Sequence, residues 1–156
     1  MDYFFIMRPG CADFEKPKNL STFGAEQTKK TAAKLANMFA DKKILVITDI
    51  KGATSQTGKI VSDMLKADIK YTDILSRDDE SETYFAVLRL IEATAKEYEL
   101  VILIADYKKL DMTAVYVSFY YIKQSIKMKD IEAFHESSGC LFNCKTAKKQ
   151  YISCWD

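Results

Sequence analysis

The chain holds a single histidine, His135, in 156 residues. That alone excludes any site built from two histidines, whether for acid–base relay or for carrying a phosphoryl group. One histidine with scattered cysteines also cannot complete a Cys/His zinc site, so no metal or other cofactor is expected. His135 itself reads as a surface or hairpin-edge residue. No G-x-S-x-G, H-E-x-x-H or G-x-G-x-x-G occurs, which removes three common routes to hydrolysis and dinucleotide binding. Long hydrophobic runs are lacking too. The longest, Leu100 to Ala105, is far too short to span a bilayer. The apolar start runs straight into Arg8 and a turn, with no basic leader and no cleavage site. A charge excess is also missing. The formal net charge is +1, and Lys29, Lys30 and Lys34 sit near Glu26 and Asp41 as on a solvated helix face. Nucleic-acid and membrane partners are therefore not expected.

What is present is ordinary for a single globular domain over 1–156: 48% apolar and 29% charged residues. The four cysteines, Cys11, Cys140, Cys144 and Cys154, fit a reduced cytoplasmic protein, the last three as small buried side chains.

Apolar patterning predicts a buried strand over Tyr3–Met7, stopped by Pro9-Gly10. A helix from about Gly24 to Ala40 follows, with Thr22 as N-cap and Ala25, Thr28, Ala32, Leu35 and Phe39 as its inner stripe. Ile44–Thr48 reads as a second strand. The next helix carries Thr57, Ile60, Val61, Met64 and Leu65 on one face. Tyr71–Leu75 reads as a third strand. Asp79 and Glu82 stand at capping-box spacing before a helix buried through Tyr84, Val87, Leu88, Ile91 and Tyr98. Leu100–Ala105 is a flat strand buried on both faces. Asp111 to about Ile126 reads as a helix, and Cys140–Cys144 with Gln150–Cys154 as a terminal hairpin looped at Lys145–Lys149. Alternating strands and helices imply a three-layer α/β/α sandwich with a mostly parallel sheet and a C-terminal β-hairpin. In such sheets ligands sit at the carboxyl ends of the strands. That rule selects Arg8-Pro9-Gly10-Cys11, Asp49-Ile50-Lys51-Gly52 and Asp106-Tyr107.

Two tempting motifs fail on chemistry. Gly52 to Lys59 resembles a phosphate loop, but five residues separate its glycines and Ile60 stands where a hydroxyl would hold magnesium. Cys11 follows a strand, yet Pro17 occupies the place where a cysteine phosphatase needs its arginine, so nothing nearby makes a thiolate.

The order of motifs resembles the histidine phosphatase (phosphoglycerate-mutase-like) superfamily, closest to its compact phosphohistidine-phosphatase branch. Tyr3 to Gly10 is similar to that family's opening strand and Arg-His-Gly turn. Asn19-Leu20-Ser21-Thr22-Phe23-Gly24-Ala25-Glu26-Gln27 is similar to the segment that leads its first helix, usually Leu-Thr-x-x-Gly-x-x-Gln. Thr48-Asp49-Ile50 followed by Gln56-Thr57 is similar to its second strand and Arg-Ala-x-Gln-Thr-Ala helix start. Leu100 to Asp106 is similar to the strand that ends in its second histidine.

The resemblance implies phosphoryl transfer through a phosphohistidine, with two arginines and a second histidine around the phosphoryl oxygens. Only Arg8 of those four groups is present. The nucleophile position holds Pro9, whose nitrogen is locked in an amide. The second arginine falls at Gly52 or Ala53, with Lys51 the nearest cation, and the second histidine at Asp106. The resemblance thus implies a degenerate domain with a binding or regulatory role and a vestigial anion pocket of Arg8 and Lys51, bordered by Pro9, Gly10, Cys11, Gly52 and Asp106. A small anion or phosphorylated ligand is the expected partner. Arg8 could instead pair with Asp106. Two alternatives remain open: an enzyme with repurposed chemistry at Asp106, Lys51 or Cys11, and a module binding a protein partner through Tyr116, Phe119, Tyr120 and the hairpin edge.

Overall fold

The architecture comes from a computed structural model, which describes residues 1–16, 18–76, 80–94, 96–106 and 135–155, without the side chains of 80–84. The elements run β1 (Tyr3–Met7), α1 (Thr22–Met38), β2 (Ile44–Asp49), α2 (Gly52–Leu65), β3 (Asp68–Thr72), a 3-10 turn (Ile74–Ser76), α3 (Glu80–Thr94), β4 (Leu100–Ile104), β5 (Gly139–Asn143) and β6 (Lys148–Ile152). The expected helix over Asp111 to Ile126, with Tyr116, Phe119 and Tyr120, lies outside the described residues, as do Pro17, Asp79 and Tyr107 and the side chains of Glu82 and Tyr84.

The six strands form one sheet in the order β3-β2-β4-β1-β5-β6. β1 to β4 are mutually parallel, whereas β5 runs antiparallel to β1 and β6 antiparallel to β5. Alternate residues of the central strands point to opposite faces. Phe4, Ile6, Ile47 and Leu103 meet Val87, Leu88 and Ile91 of α3 on one side. Phe5, Met7, Val46 and Ile102 meet Ala32, Leu35 and Phe39 of the α1 segment and Val61 of α2 on the other. The three expected layers and the terminal hairpin are thus present. No helix among the described residues is long and apolar enough to cross a membrane.

Several boundaries differ from expectation for local physical reasons. The N-cap of α1 is Ser21, not Thr22: Ser21 is extended and its Oγ accepts from the Gly24 amide. On α2 the inward residues are Thr57, Gly58, Val61 and Ser62, while Met64 is exposed. β3 lies earlier than Tyr71–Leu75, because Leu75 is buried from the following 3-10 turn. Tyr98 lies beyond α3 and is only partly buried against the core. The hairpin turn is earlier by about two residues. Asn143 Oδ1 accepts from the amides of Lys145 and Thr146, an Asx turn that closes the hairpin at once. None of the four cysteines is in a disulfide; Cys140 and Cys154 are buried and Cys11 and Cys144 partly so.

Candidate functional site

β1 leaves the sheet between β4 and β5, since Met7 pairs with both Ile104 and Gly139. Its first turn therefore has two walls: Ala105-Asp106 after β4, and Glu136-Ser137-Ser138 before β5. The backbone stitches all three together. Met7 O accepts from Ala105 N at 3.3 Å, Arg8 N donates to Ser138 O at 3.0 Å, and Ser137 N donates to Pro9 O at 3.0 Å. Pro9 suits this position because it brings no N–H that would need a partner. Two residues past the end of the β1–β4 ladder on either strand stand Pro9 and Asp106.

Arg8 Nη2 meets Glu136 Oε1 at 3.2 Å, with the two side chains 25% and 41% exposed. Glu136 pairs with Arg8 among the described residues, and the sequence alone does not point to it. No motif marks it. It reaches Arg8 only because β5 runs antiparallel to β1, which puts the start of β5 beside the end of β1.

Behind the arginine the turn is clamped to the starts of α1 and α2. The Gly10 amide donates to the buried Thr57 Oγ1 at 3.0 Å. A Cβ on Gly10 would lie 2.5 Å from Gly24 O and 2.7 Å from Leu20 Cδ1, so only glycine fits. Cys11 O accepts from both Ser21 N and Ser21 Oγ. The Leu20 amide donates to Gln56 Oε1, tying the approach to α1 to the first turn of α2. On the β5 side, Ser137 Oγ shares a hydrogen with Thr28 Oγ1 at 2.9 Å, and Ser137 O accepts from Thr31 Oγ1. These hydroxyls hold Ser137 in a left-handed conformation, φ 56°. Tyr151 OH donates to Ser138 Oγ at 2.7 Å, which anchors the same segment to β6.

Lys51 is exposed at the N-cap of α2, where its side chain makes no cap and its amide donates to Asp49 Oδ1. Gly52 follows at φ 70°, and a Cβ there would press on Lys18 O at 2.9 Å. This stretch is a strand-to-helix turn lying under the 18–20 segment. Cys11 is partly buried, and Asp106 is exposed just after the buried Ala105. His135 is exposed, with its carbonyl accepting from Ser138 Oγ.

The arrangement offers a guanidinium at a strand end, a carboxylate 3.2 Å from it, and a rigid turn. Pro9 has no group that can attack.

No protein-family model and no curated protein matches the sequence. Solved structures do match, over nearly the whole chain. The chain has the fold of the histidine phosphatase, or phosphoglycerate-mutase-like, superfamily. Among the similar structures is a putative phosphohistidine phosphatase SixA from Agrobacterium tumefaciens, at TM-score 0.68 and 15% identity, covering 97% of this chain and 95% of that one. A putative SixA from Nakamurella multipartitia matches at TM-score 0.71 and 13% identity, covering 96% and 92%. The protein histidine phosphatase SixA complexed with tungstate matches at TM-score 0.65 and 16% identity, covering 97% of each chain.

Proposed function

We propose that this protein is a catalytically degenerate histidine-phosphatase-like domain that binds an anionic group without hydrolysing it. Pro9 at the end of β1 carries the proposal. In the family that the sequence resembles, the attacking imidazole stands at this position, and an amide-locked ring nitrogen has no lone pair to offer phosphorus. The accompanying groups are altered in the same direction, with Gly52 and Ala53 in place of a second arginine and Asp106 in place of a second histidine. Loss of the nucleophile alone costs on the order of a millionfold where such residues act as a unit.

Arg8 remains, and a guanidinium suits a tetrahedral oxyanion through paired N–H donors. One of the similar structures holds tungstate, an oxyanion of that shape. The Arg8–Glu136 pair is partly exposed and monodentate as described, and pairs of that kind contribute about 0–1 kcal/mol. Exchanging that one contact for a phosphate therefore costs little.

The test has two arms. The purified protein is assayed against aryl phosphates and phosphohistidine, where no turnover is expected. Thermal shift is then recorded against phosphate and sulfate with the native chain and Arg8→Ala. An anion-dependent rise in melting temperature that Arg8→Ala removes supports binding. Turnover abolished by Arg8→Ala would overturn the reading, and no shift at millimolar anion would reduce Arg8 to an internal ion pair.

A further inference from the structure

Ser137 is fully buried and stands at φ 56°. A residue with a side chain keeps that conformation only where its surroundings impose it. Here three hydrogen bonds do so. The Ser137 amide donates to Pro9 O at 3.0 Å, its carbonyl accepts from Thr31 Oγ1, and its hydroxyl shares a hydrogen with Thr28 Oγ1 at 2.9 Å. Thr28 and Thr31 are fully buried on the inner face of α1. The same helix fixes the other side of the turn, since its N-cap Ser21 holds Cys11 O through both amide and hydroxyl. α1 thus sets the spacing between the Arg8 turn and the 136–138 wall.

Glu136 directly precedes the pinned residue, and its Oε1 lies 3.2 Å from Arg8 Nη2. Nη2 belongs to both two-point forks of a guanidinium, the one with Nε and the one with Nη1. A carboxylate on it takes one fork and sets a negative charge beside the other, so it opposes an oxyanion at either. Exposed ion pairs are weak in part because two free side chains must be ordered to form them. The backbone that carries Glu136 is already fixed, which reduces that cost.

From these contacts we infer that Thr28 and Thr31 are positioning residues for an autoinhibitory contact: by pinning Ser137 they hold Glu136 against Arg8 and so lower the affinity of the anion site. The inference rests on the anion binding proposed for Arg8. It adds that α1, which does not touch the guanidinium, sets the strength of that binding.

The test is a cycle of four chains titrated with inorganic phosphate by calorimetry: native, Glu136→Gln, Thr31→Val and the double variant. Thr31→Val keeps the shape and removes the hydroxyl, so affinity should rise by about two- to threefold. In the Glu136→Gln background the same change should do nothing further, because the carboxylate it releases is gone. Thr31→Ser restores the hydroxyl and should return the native affinity. Ser137→Gly accepts φ 56° without strain and loses the bond to Thr28. It should also raise affinity, and it carries the test if Thr31→Val does not fold in a thermal melt. A clamp that is only structural would lower the melting temperature alike in both backgrounds and leave phosphate affinity unchanged. That result, with Glu136→Gln still binding more tightly than the native chain, overturns this inference alone. An equal rise in both backgrounds also overturns it, since the clamp would then act without Glu136. No phosphate binding by the native chain or by Glu136→Gln overturns the function proposed for Arg8 and this inference with it.

Discussion

The amide of Gly10 donates to the hydroxyl of Thr57, 47 residues away, in a buried hydrogen bond of 3.0 Å. The bond joins the first turn of the chain to the first turns of α2, and its neighbours have the same purpose. Leu20 packs where a Cβ on Gly10 would go, Ser21 holds Cys11 O, and Gln56 holds the Leu20 amide. Each of these is a residue through which the sequence resembles the phosphatase family. Each is used to hold the turn. The departures from the family pattern, Pro9, Gly52 or Ala53, and Asp106, are what the proposed function rests on.

Replacing Thr57 by valine preserves its shape but leaves the Gly10 amide buried and unpaired. The expected loss is about 1–3 kcal/mol, read as a lower urea midpoint at unchanged m-value. Thr57→Ser keeps the hydroxyl and should lose clearly less. Equal losses would mean that the methyl group, not the hydrogen bond, is what matters there.

On the proposed function, Glu136 would compete with a bound anion for Arg8. Glu136→Gln removes the charge and retains the carbonyl acceptor, so phosphate affinity should rise by up to about fivefold, the worth of an exposed ion pair. Calorimetric titration with phosphate checks this, and an unchanged or lower affinity would show that Glu136 does not oppose binding.

Restoring one group should not restore chemistry. Pro9→His alone is expected to leave aryl-phosphate hydrolysis at background, because the remaining oxygens still lack donors. Pro9→His with Ala53→Arg and Asp106→His should give measurable turnover with a phosphorylated enzyme intermediate. Turnover by the single variant would mean that Arg8 and the helix starts suffice.

Burial pushes the Cys144 thiol up to about 11, with Asp2 adding in the same direction against the opposing N-terminal charge. The folded chain therefore keeps this proton to higher pH than the unfolded chain does. Its contribution to stability is full below about pH 9, the ordinary thiol value, and is lost as pH rises through about 11. Urea titrations of the native chain and Cys144→Ser between those limits should show a shallower fall for the variant. Parallel slopes would mean the thiol titrates alike in both states.

The central strands were legible in the sequence because burial on both faces leaves an uninterrupted apolar run, as in β1, β2 and β4. β3 was legible only as a strand in the right stretch, with bounds about three residues late, since Asp68, Lys70 and Tyr71 are exposed and a strand at the sheet edge carries little apolar signal. The hairpin was visible as alternation, but its register depended on the Asx turn at Asn143. The turns after β1, β2 and β4, which the sequence selects, follow from parallel-sheet geometry. Glu136 is not selected, because an antiparallel partner 128 residues away leaves no spacing to read. Hydroxyls such as Thr28, Thr31 and Ser137 look like ordinary helix and loop residues until packing joins them.

The central place of β1 between β4 and β5 sets an order of events during synthesis. Its residues Phe4, Phe5, Ile6 and Met7 are fully buried, yet their neighbours are made 97 and some 136 residues later. A ribosome adding about 5–20 residues per second leaves this apolar segment without its flanking strands for on the order of ten seconds. For that interval it is the stretch most exposed to aggregation and the natural substrate for a holding chaperone. The Arg8 turn, closed by β5, is among the last parts of the molecule to take shape.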